Sequence, residues 1–321
     1  MPLPMRKGSV LVTGGAGFIG SHLCERLLVK GRRVSVLDDL NDYYDPAIKR
    51  ANLLRLSRMG SGFTFYKGDI RDPKAAARAL RGVESVVHLA ARAGVRPSVA
   101  DPALYAAVNV EGTAVMLEAA RRAGVARFLF GSSSSVYGRS ARLPFREDDP
   151  AAQPVSPYAA TKRAGELLCA AHHDLHGTPI LALRFFTVYG PRQRPDMAIH
   201  RFVRSVLDGR QIGVFGDGSS KRDYTHVSDI VSALVRGLAW KRGFEIVNLG
   251  GSHTISLKGL IRLIERSAGR PARLKRLPDQ DGDVPATYAD IWKARRLLGF
   301  DPKVTIERGV PDFVAWVRSA S

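Results

Sequence analysis

An apolar segment of this chain runs directly into a glycine-rich turn close to its start. Residues 10 to 21 read VLVTGGAGFIGS, so a strand-like run precedes the glycines and an amphipathic segment follows them. Gly15, Gly17 and Gly20 match the pattern G-x-G-x-x-G, and Gly14 adds another residue that tolerates unusual backbone angles. In a strand–turn–helix unit, such glycines permit a tight reversal, close approach of a phosphate and close packing of helix on strand. The segment therefore predicts a dinucleotide site with the pyrophosphate at the helix N-terminus.

The second strand-like run, Val34–Leu37, is followed by Asp38. A carboxylate at this position can accept hydrogen bonds from both hydroxyls of the adenosine ribose, and it repels a 2′-phosphate. Arg32 and Arg33 precede the strand and so lie at its other end. The pattern predicts NAD rather than NADP.

Strand-like and helix-like segments alternate through the first part of the chain. Helical periodicity is found at Gly17–Lys30, Asp101–Ala123 and Pro157–His176, and apolar, β-branched runs lie near Ser9–Thr13, Arg33–Leu37, Phe63–Tyr66, Ser85–Leu89, Arg127–Gly131 and Ile180–Phe186. Repeated βαβ units predict an α/β fold, a Rossmann doubly wound parallel sheet covered by helices on both faces.

The character of the chain changes after Pro191, where proline, glycine and charge become more frequent. We interpret this part as a smaller C-terminal α/β substrate-binding lobe. The run Val227–Trp240 and the following Glu245–Leu249 indicate one more helix and strand that return to the main sheet. We therefore expect an NAD-binding Rossmann domain at residues 1–190, plus about 225–250, and a substrate lobe at residues 191–224 and 251–321.

The chain carries 49 Lys and Arg against 30 Asp and Glu, a net charge of +19. Such a field attracts nucleic acids, anionic membranes and anionic small molecules. The arginines are scattered over helical segments such as Ala75–Arg81 and Leu117–Ala123, so a solvated basic surface is favoured over a nucleic-acid platform. We find no membrane-length apolar run and no metal-ligand spacing at Cys24 or Cys169, and we expect no leader. We expect a cytoplasmic protein without a metal, a membrane partner or a nucleic-acid partner.

Tyr158 and Lys162 are four residues apart in a segment with helical periodicity, so they share one helix face. An ammonium beside a phenol lowers the pKa of the phenol and makes it a usable general base. Alone, the pair also fits an ordinary surface contact. The catalytic interpretation is favoured by the hydroxyl-rich residues 131 to 138, GSSSSVYG, which follow an apolar strand at the end where open α/β sheets bind ligands.

Together these segments resemble the extended short-chain dehydrogenase/reductase superfamily along essentially the whole chain. Within it the chain is similar to the nucleotide-sugar epimerases, and specifically to the UDP-glucuronate 4-epimerase family. The superfamily motifs are Thr13–Gly20, Asp38–Asp45, Gly68–Ile70, His88–Ala91, Asn109–Thr113, Ser132–Gly138, Tyr158–Lys162, Arg184–Pro191 and Lys221–Tyr224. The resemblance to the uronate branch rests on Asn41–Asp45, Thr187, Arg194–Ala198 and Gly282–Tyr288.

By this resemblance, Ser133 is the catalytic hydroxyl, Tyr158 the base, and Lys162 its electrostatic partner, which also holds the nicotinamide ribose of a tightly bound NAD. Asp69 also fits a turn acid, and His88 fits a core histidine. The cofactor-binding residues that the resemblance implies are Gly14, Gly17, Phe18, Ile19, Gly20, Asp38, Asn41, Asp69, Ile70, Leu89, Ala90, Ala91, Asn109, Tyr158, Lys162, Phe185 and Val188. Asn109 equally fits a residue that places its helix without touching a ligand.

The resemblance implies interconversion of UDP-glucuronate and UDP-galacturonate through a 4-keto intermediate, with the nucleotide sugar bound by the C-terminal lobe. Because that intermediate is a β-keto acid, its carboxylate has to be held, and Arg194 with Thr187 and Ser134 is expected to hold it. The implied substrate-binding residues are Ser133, Ser134, Tyr158, Thr187, Arg194, Ala198, Phe215, Arg222 and Asp283. Gln280 stands where hexose epimerases often have an arginine, so one phosphate contact departs from the pattern.

Other functions of the same fold remain as alternatives. Ser133–Ser135 replaces the Thr-Asp-Glu of related dehydratases and the Thr-Ser-Glu of decarboxylases, which disfavours both reactions. The alternatives are a UDP-glucose 4-epimerase, a UDP-glucuronate decarboxylase, or a non-catalytic NAD-sensing or RNA-binding Rossmann protein that only the net charge supports. The resemblance also implies a homodimer in which Asp101–Ala123 and Pro157–His176 form a four-helix contact.

Overall fold

A computed structural model of the chain describes residues 8–139, 142–278 and 284–319. The strands are β1 Val10–Thr13, β2 Val34–Asp38, β3 Phe63–Lys67, β4 Ser85–His88, β5 Arg127–Ser133, β6 Ile180–Phe185, β7 Thr187–Tyr189, β8 Gln211–Phe215, β9 Lys221–His226, β10 Phe244–Leu249, β11 Thr254–Ser256 and β12 Arg273–Leu277. The α-helices are α1 Phe18–Val29, α2 Pro46–Ser57, α3 Pro73–Ala79, α4 Val95–Ala100, α5 Pro102–Ala106, α6 Gly112–Arg122, α7 Pro157–His176, α8 Ala198–Leu207, α9 Val227–Gly237, α10 Leu257–Ala268, α11 Trp292–Leu298 and α12 Ile306–Ser319.

The chain divides into two compact units. Unit 1 consists of residues 1–138, 151–184 and 231–247, and unit 2 of residues 139–150, 185–230 and 248–321. The expected domains have different boundaries in detail, and the assignment of a ligand to each of them remains a prediction.

Unit 1 is built on a Rossmann-like sheet with strand order β10-β6-β5-β4-β1-β2-β3. The pairings from β3 through β2, β1 and β4 to β5 are all parallel, with Val10 opposite both Val34 and Ser85. The expected return of Glu245–Leu249 to the main sheet is confirmed, because β10 pairs with β6 at one edge. The structure thus confirms the doubly wound parallel sheet that the alternating pattern predicted.

The two ends of helix α7 are determined by residues that are recognisable in the sequence. The Ser156 hydroxyl accepts a 3.1 Å hydrogen bond from the Ala159 amide, Pro157 opens the helix, and Gly177 ends it with a φ of 69°. These bounds agree with the prediction of a helix over Pro157–His176. The helix carries Tyr158 and Lys162 in its first two turns.

The expected single helix over Asp101–Ala123 is interrupted in the structure. Helices α5 and α6 are joined by a π-helical segment, Ala107–Glu111, in which the backbone gains one extra residue per turn. This segment contains Asn109, whose side chain is buried. None of the helices in the described ranges is both long enough and apolar enough to cross a membrane.

Unit 2 contains a three-stranded sheet of order β11-β9-β7 and the parallel pair β12-β8. Its apolar core is formed by the inner faces of α8, α10 and α12 around side chains such as Val203, Leu260 and Phe313. Unit 1 has its own core on one face of the main sheet, with Leu11, Met116 and Phe128 among its buried side chains.

Candidate active site

The glycine turn after β1, residues 14–17, leaves a space against the backbone that side chains at these positions would fill. Gly14 has a φ of 68°, and a Cβ there would lie 2.8 Å from the backbone nitrogen of Ala90. A Cβ on Gly20 would lie 2.3 Å from the carbonyl oxygen of Gly14, so this glycine lets α1 pack on the turn. In the described part of the chain, no side chain caps the N-terminus of α1, which begins after Gly17. The turn therefore offers backbone N–H groups and a positive helix end to an anion, as a pyrophosphate requires.

Asp38 ends β2 beside this turn. Its carboxylate accepts hydrogen bonds from the Ala16 amide at 3.1 Å and the Leu40 amide at 3.0 Å. Burial raises the pKa of Asp38 above its usual range, and these hydrogen bonds act against that shift. A carboxylate has about four acceptor positions, so the two amides leave capacity for the ribose hydroxyls that the sequence assigned to it.

Helix α2 was not predicted from the sequence. Two of its side chains hydrogen-bond to the glycine turn and to the loop after β2. Asn52 donates a 2.9 Å hydrogen bond to the carbonyl of Ala16, and Lys49 donates one of 2.9 Å to the carbonyl of Asn41. Both side chains are buried. The start signal was readable, because Asp45 caps the helix and Pro46 opens it.

The candidates on the adenine side lie on loops after β3 and β4. Asp69 forms a bidentate ion pair with Arg71, with a shortest separation of 2.6 Å, and also accepts the Arg71 amide, as a turn acid does. This pairing lowers the pKa of Asp69. Ile70 is buried, and the amides of Leu89 and Ala90 both donate 3.1 Å hydrogen bonds to Thr13 Oγ1. Ala91 is partly buried beyond them.

His88 is a core residue of unit 1. Its Nδ1 lies 2.8 Å from Thr13 Oγ1 and its Nε2 lies 3.2 Å from Thr113 Oγ1. The Thr113 hydroxyl donates to the carbonyl of Asn109, so Nε2 carries the proton and the neutral ring satisfies both contacts. Burial lowers the pKa of His88 to about 3. These contacts favour the interpretation of His88 as a structural residue.

The side chain of Asn109 contacts protein groups on two segments. Its Oδ1 accepts the Arg92 amide at 2.8 Å, and its Nδ2 donates to the Arg92 carbonyl at 2.9 Å and to Thr161 Oγ1 at 3.0 Å. Thr161 precedes Lys162 on α7. Asn109 therefore ties the loop after β4 to the helix of the proposed base, and a direct contact with the cofactor stays a prediction.

The three proposed reacting residues lie on β5 and α7 of unit 1. Ser133 ends β5, and its hydroxyl lies 3.1 Å from that of Ser135. Lys162 is 5% exposed and donates a 2.7 Å hydrogen bond from Nζ to the carbonyl of Gly131. Burial lowers the pKa of Lys162 to about 8, although Cys169 and Glu166 act in the opposite direction. A buried ammonium of this kind is well suited to stabilise a neighbouring phenolate.

Tyr158 lies in the first turn of α7. The ring of Tyr105 packs edge-on against it, with centroids 6.3 Å apart at 86°. Tyr105 is fully buried, and its hydroxyl donates a 2.7 Å hydrogen bond to the carbonyl of Ala93. Tyr105 was not predicted from the sequence, because its contact with α7 depends on tertiary packing.

The proposed substrate residues other than Ser133, Ser134 and Tyr158 belong to unit 2. Arg194 points its guanidinium fork at Asp196, with separations of 3.0 and 2.8 Å, and Arg222 donates to the Lys221 carbonyl at 2.9 Å.

The other candidates lie at the ends of elements: Thr187 begins β7, Ala198 begins α8, and Phe215 ends β8. Of the cofactor candidates, Phe185 ends β6 and is half-buried, and Val188 lies buried in β7. Asp283 and Gln280 lie outside the described residues.

Asp223 is a buried acid of unit 2 that was not predicted as a functional residue. It accepts hydrogen bonds from the amides of Gly251 at 2.6 Å, Ser252 at 3.2 Å and Ala289 at 3.0 Å. Burial raises the pKa of Asp223 to about 6, against the effect of those amides. It joins three segments of unit 2 beside Arg222. The motif Lys221–Tyr224 contains this acid, and its burial alternates along β9 with half-buried neighbours, so the alternation was the signal that could have found it.

Within the described ranges, no group of three or more His, Cys, Asp or Glu side chains is arranged to hold a metal ion.

Comparison with known proteins identifies the family. The model of the NAD dependent epimerase/dehydratase family matches residues 10–250. A UDP-glucuronate 4-epimerase from Thermodesulfobacterium geofontis is 41% identical over 312 residues, which cover 96% of each chain.

Two solved structures have the same fold as this chain. The UDP-glucuronic acid 4-epimerase from Bacillus cereus, in complex with UDP-glucuronic acid and NAD, has a TM-score of 0.92 at 36% identity, covering 98% of this chain and 100% of that one. The dTDP-glucose 4,6-dehydratase DesIV from Streptomyces venezuelae, with NAD and TYD bound, has a TM-score of 0.90 at 35% identity, covering 97% of each chain. The fold is thus shared by enzymes of different activity. This chain belongs to the NAD dependent epimerase/dehydratase family.

Proposed function

We propose that this protein is an NAD-dependent UDP-glucuronate 4-epimerase, which interconverts UDP-glucuronate and UDP-galacturonate through a 4-keto intermediate. The observation that carries the proposal is the joining of the two catalytic segments. Lys162 on α7 is hydrogen-bonded to Gly131, two residues before Ser133. A relative that matches nearly the full length of the chain is named UDP-glucuronate 4-epimerase. The DesIV likeness shows that the fold alone does not decide between reactions.

The cofactor residues of the proposal fit NAD. The uncapped start of α1 and the glycine turn suit the pyrophosphate, and the buried carboxylate of Asp38 suits the adenosine ribose and disfavours a 2′-phosphate. When bound, NAD supplies the oxidation and the later reduction of the sugar carbon. Because the net reaction is redox-neutral, the cofactor has no need to leave between turnovers.

The chain's own residues move the proton. In the proposal, Tyr158 takes the proton of the sugar 4-hydroxyl and later returns it to the 4-keto oxygen. The Lys162 ammonium stabilises the phenolate, and the Ser133 hydroxyl donates a hydrogen bond to the same sugar oxygen. Lys162 is suited to this role because its hydrogen bond to Gly131 fixes the position of Nζ.

In the proposal, the residues around the sugar carboxylate decide that the intermediate is epimerised and does not lose carbon dioxide. Ser133–Ser135 carries hydroxyls where related dehydratases and decarboxylases carry an acid, which supports epimerisation. We propose that Arg194, Thr187 and Ser134 bind the carboxylate. The fork of Arg194 already binds a carboxylate, that of Asp196, in the geometry that such recognition uses.

The proposal assigns the nucleotide half of the substrate to residues of unit 2. Phe215 would pack on the uracil, Arg222 would bind the diphosphate and Asp283 the ribose.

We also propose a homodimer that works in the cytoplasm. Leu167 and Leu175, eight residues apart on α7, are 55% and 76% exposed, and such a stripe suits a helix–helix contact. Cys24 and Cys169 are both buried thiols, as suits a reducing compartment.

Product analysis tests the proposed reaction. We expect the purified protein to retain NAD, as seen by native mass spectrometry, and to convert UDP-glucuronate into UDP-galacturonate, as seen by NMR. The Tyr158→Phe variant should bind substrate but lose turnover by on the order of 100-fold, as removal of an acid–base group does. Release of carbon dioxide with a pentose product would instead identify a decarboxylase.

A further inference from the structure

A carboxylate with no assigned role lies buried beside the reacting groups. Glu166 is 0% exposed and lies on α7, one turn beyond Lys162. Its two oxygens accept hydrogen bonds from Ser132 Oγ at 2.6 Å, Arg184 Nε at 2.8 Å, Arg184 Nη2 at 2.9 Å and Arg163 Nη1 at 3.0 Å. The carboxylate is therefore fully satisfied, by charged partners and one hydroxyl.

This cluster contacts the segments that carry the proposed chemistry. Ser132 is the neighbour of Ser133 at the end of β5. The Arg184 guanidinium lies over the ring of Tyr137, at 4.6 Å from the centroid, and Tyr137 ends the 3-10 turn that follows Ser133. Helix α7 is thereby fastened to the end of β5 at two successive points, Lys162 to Gly131 and Glu166 to Ser132.

A gain in folding stability does not by itself explain why this buried charged cluster is present. A buried ion pair loses hydration on both partners, and well-packed apolar residues of similar size often stabilise a core equally well. Arg184 is 1% exposed, so its charge is almost fully removed from water. Burial acts to lower the pKa of Arg184, and the contacts with Glu166 and Tyr137 together outweigh this and raise it. The pair thus keeps two charges inside unit 1 where apolar side chains could fill the same volume.

We propose that Glu166, held by Arg184, is a positioning residue for the reaction: it fixes the strand end that carries Ser133 against the helix that carries Tyr158 and Lys162. The inference rests on the proposed function, because that function makes these three residues the reacting set. Displacement of a reacting group by about 1 Å can cost on the order of 100-fold in rate, so the fastening matters for turnover more than for affinity.

The same carboxylate acts on Lys162 through its charge. Burial lowers the pKa of Lys162, and Cys169 and Glu166 oppose that shift and help Lys162 to keep its proton. The buried ring of His88 also faces this lysine, whose charge acts to lower the pKa of His88. Replacement by glutamine keeps the shape but removes the charge, which leaves Lys162 and Arg184 as two buried cations without their anion. Lys162 then loses its proton at lower pH, and the alkaline fall of kcat moves in the same direction.

The test compares three variants of the full-length protein with NAD bound. Glu166→Gln removes the charge, Ser132→Ala removes only the link to β5, and Asp208→Asn is the control, because Asp208 forms an exposed ion pair with Arg210. We expect Glu166→Gln to lower kcat by 10-fold or more, on the order that misplacement costs, with KM changed by less than about 3-fold if the ground-state contacts are kept. Its alkaline limb should move down by about 1 pH unit.

We expect Ser132→Ala to lower kcat with little change in KM or in the alkaline limb, and Asp208→Asn to match the wild type. A purely structural role predicts lower unfolding temperatures for Glu166→Gln and Ser132→Ala with an unchanged kcat and pH profile, and that result overturns the proposal. If Glu166→Gln does not fold, Ser132→Ala decides: a wild-type kcat in this variant contradicts the positioning role.

A readout without substrate separates this inference from the proposed function. The titration of Lys162 can be followed by carbon-13 NMR of the lysine side chains, with its signal assigned by its loss in Lys162→Met. We expect the midpoint to fall in Glu166→Gln and to stay unchanged in Asp208→Asn. If the wild type epimerises no UDP-sugar but the midpoint still moves, the proposed function fails while the coupling of Glu166 to Lys162 stands. An unmoved midpoint overturns the coupling whatever the activity.

Discussion

Lys162 Nζ donates a 2.7 Å hydrogen bond to the backbone carbonyl of Gly131, two residues before Ser133. The bond joins a helix to a strand end in unit 1, so the ammonium has a fixed position instead of the freedom of a surface lysine. Because the same group is buried, its charge is sensitive to pH in a range that enzymes use.

The first prediction concerns the alkaline side of the pH profile. Burial lowers the pKa of Lys162 to about 8, so the lysine is charged below that pH and neutral above it. We expect kcat to fall as the pH rises through about 8, because a neutral amine no longer stabilises the Tyr158 phenolate. The check is kcat against pH for the wild type, for Lys162→Met, and for Lys74→Met as an exposed control. An unchanged alkaline limb in Lys162→Met contradicts the assignment.

The second prediction concerns acid stability and His88. Its pKa is about 3 in the folded protein, against 6.5 for an ordinary histidine, so the unfolded state takes up its proton first as the pH falls. The stabilisation is complete above pH 6.5 and is lost progressively toward pH 3. Between pH 6.5 and 5, this single group accounts for about 2 kcal/mol of unfolding free energy.

Urea unfolding at pH 7 and pH 5 measures this effect. We expect His88→Gln to be less stable than the wild type at pH 7 but to lose about 2 kcal/mol less on acidification. Equal acid sensitivity of His88→Gln and the wild type would speak against a buried neutral ring.

The third prediction concerns the sugar carboxylate. The double variant Ser134→Ala with Arg194→Ala removes a hydroxyl and a charged fork, so KM for UDP-glucuronate should rise by 10-fold or more, as loss of a charge-assisted hydrogen bond implies. KM for UDP-glucose, which has no carboxylate, should change far less. Asp196→Ala is the matched control. It removes the carboxylate that competes with the sugar for the fork of Arg194, and it should lower KM for the uronate. Equal losses for both sugars in the double variant contradict the clamp.

The fourth prediction concerns assembly. Light scattering should find a dimer of the 35.0 kDa chain for the wild type and a monomer for Leu167→Glu with Leu175→Glu. The reason is that two carboxylates on this stripe would be buried without partners. Leu54→Glu changes a similarly exposed leucine on α2 and should remain dimeric. A monomeric wild type rules out the proposed contact.

The parts of the fold that the sequence predicts are those with strong local signals. The glycine turn, the β-branched strands and the capped helix α7 each carry their pattern within about a dozen residues. Helix α2 lacks an apolar stripe, and its buried residues include Lys49 and Asn52, so its periodicity gave no signal. The π-helical segment was also not predictable, because its extra residue leaves the apolar pattern of Asp101–Ala123 nearly unchanged.

The candidate site divides in the same way. Ser133, Tyr158 and Lys162 stand in short motifs that the sequence displays. Glu166 and Arg184 are 18 residues apart on different elements, and only the folded chain brings them together. The role of Arg194 was predicted from its motif, but its pairing with Asp196 depends on the conformation of a loop.

Labelling of one sugar hydrogen tests the central claim, that oxidation and reduction occur at C4 of a single bound sugar. UDP-glucuronate with deuterium at C4 is incubated with the NAD-loaded protein in ordinary water, and the product is analysed by NMR. The account predicts UDP-galacturonate that keeps its deuterium at C4, because the hydrogen removed from one face returns to the other before the product leaves. Product in which the deuterium has exchanged with solvent would contradict it.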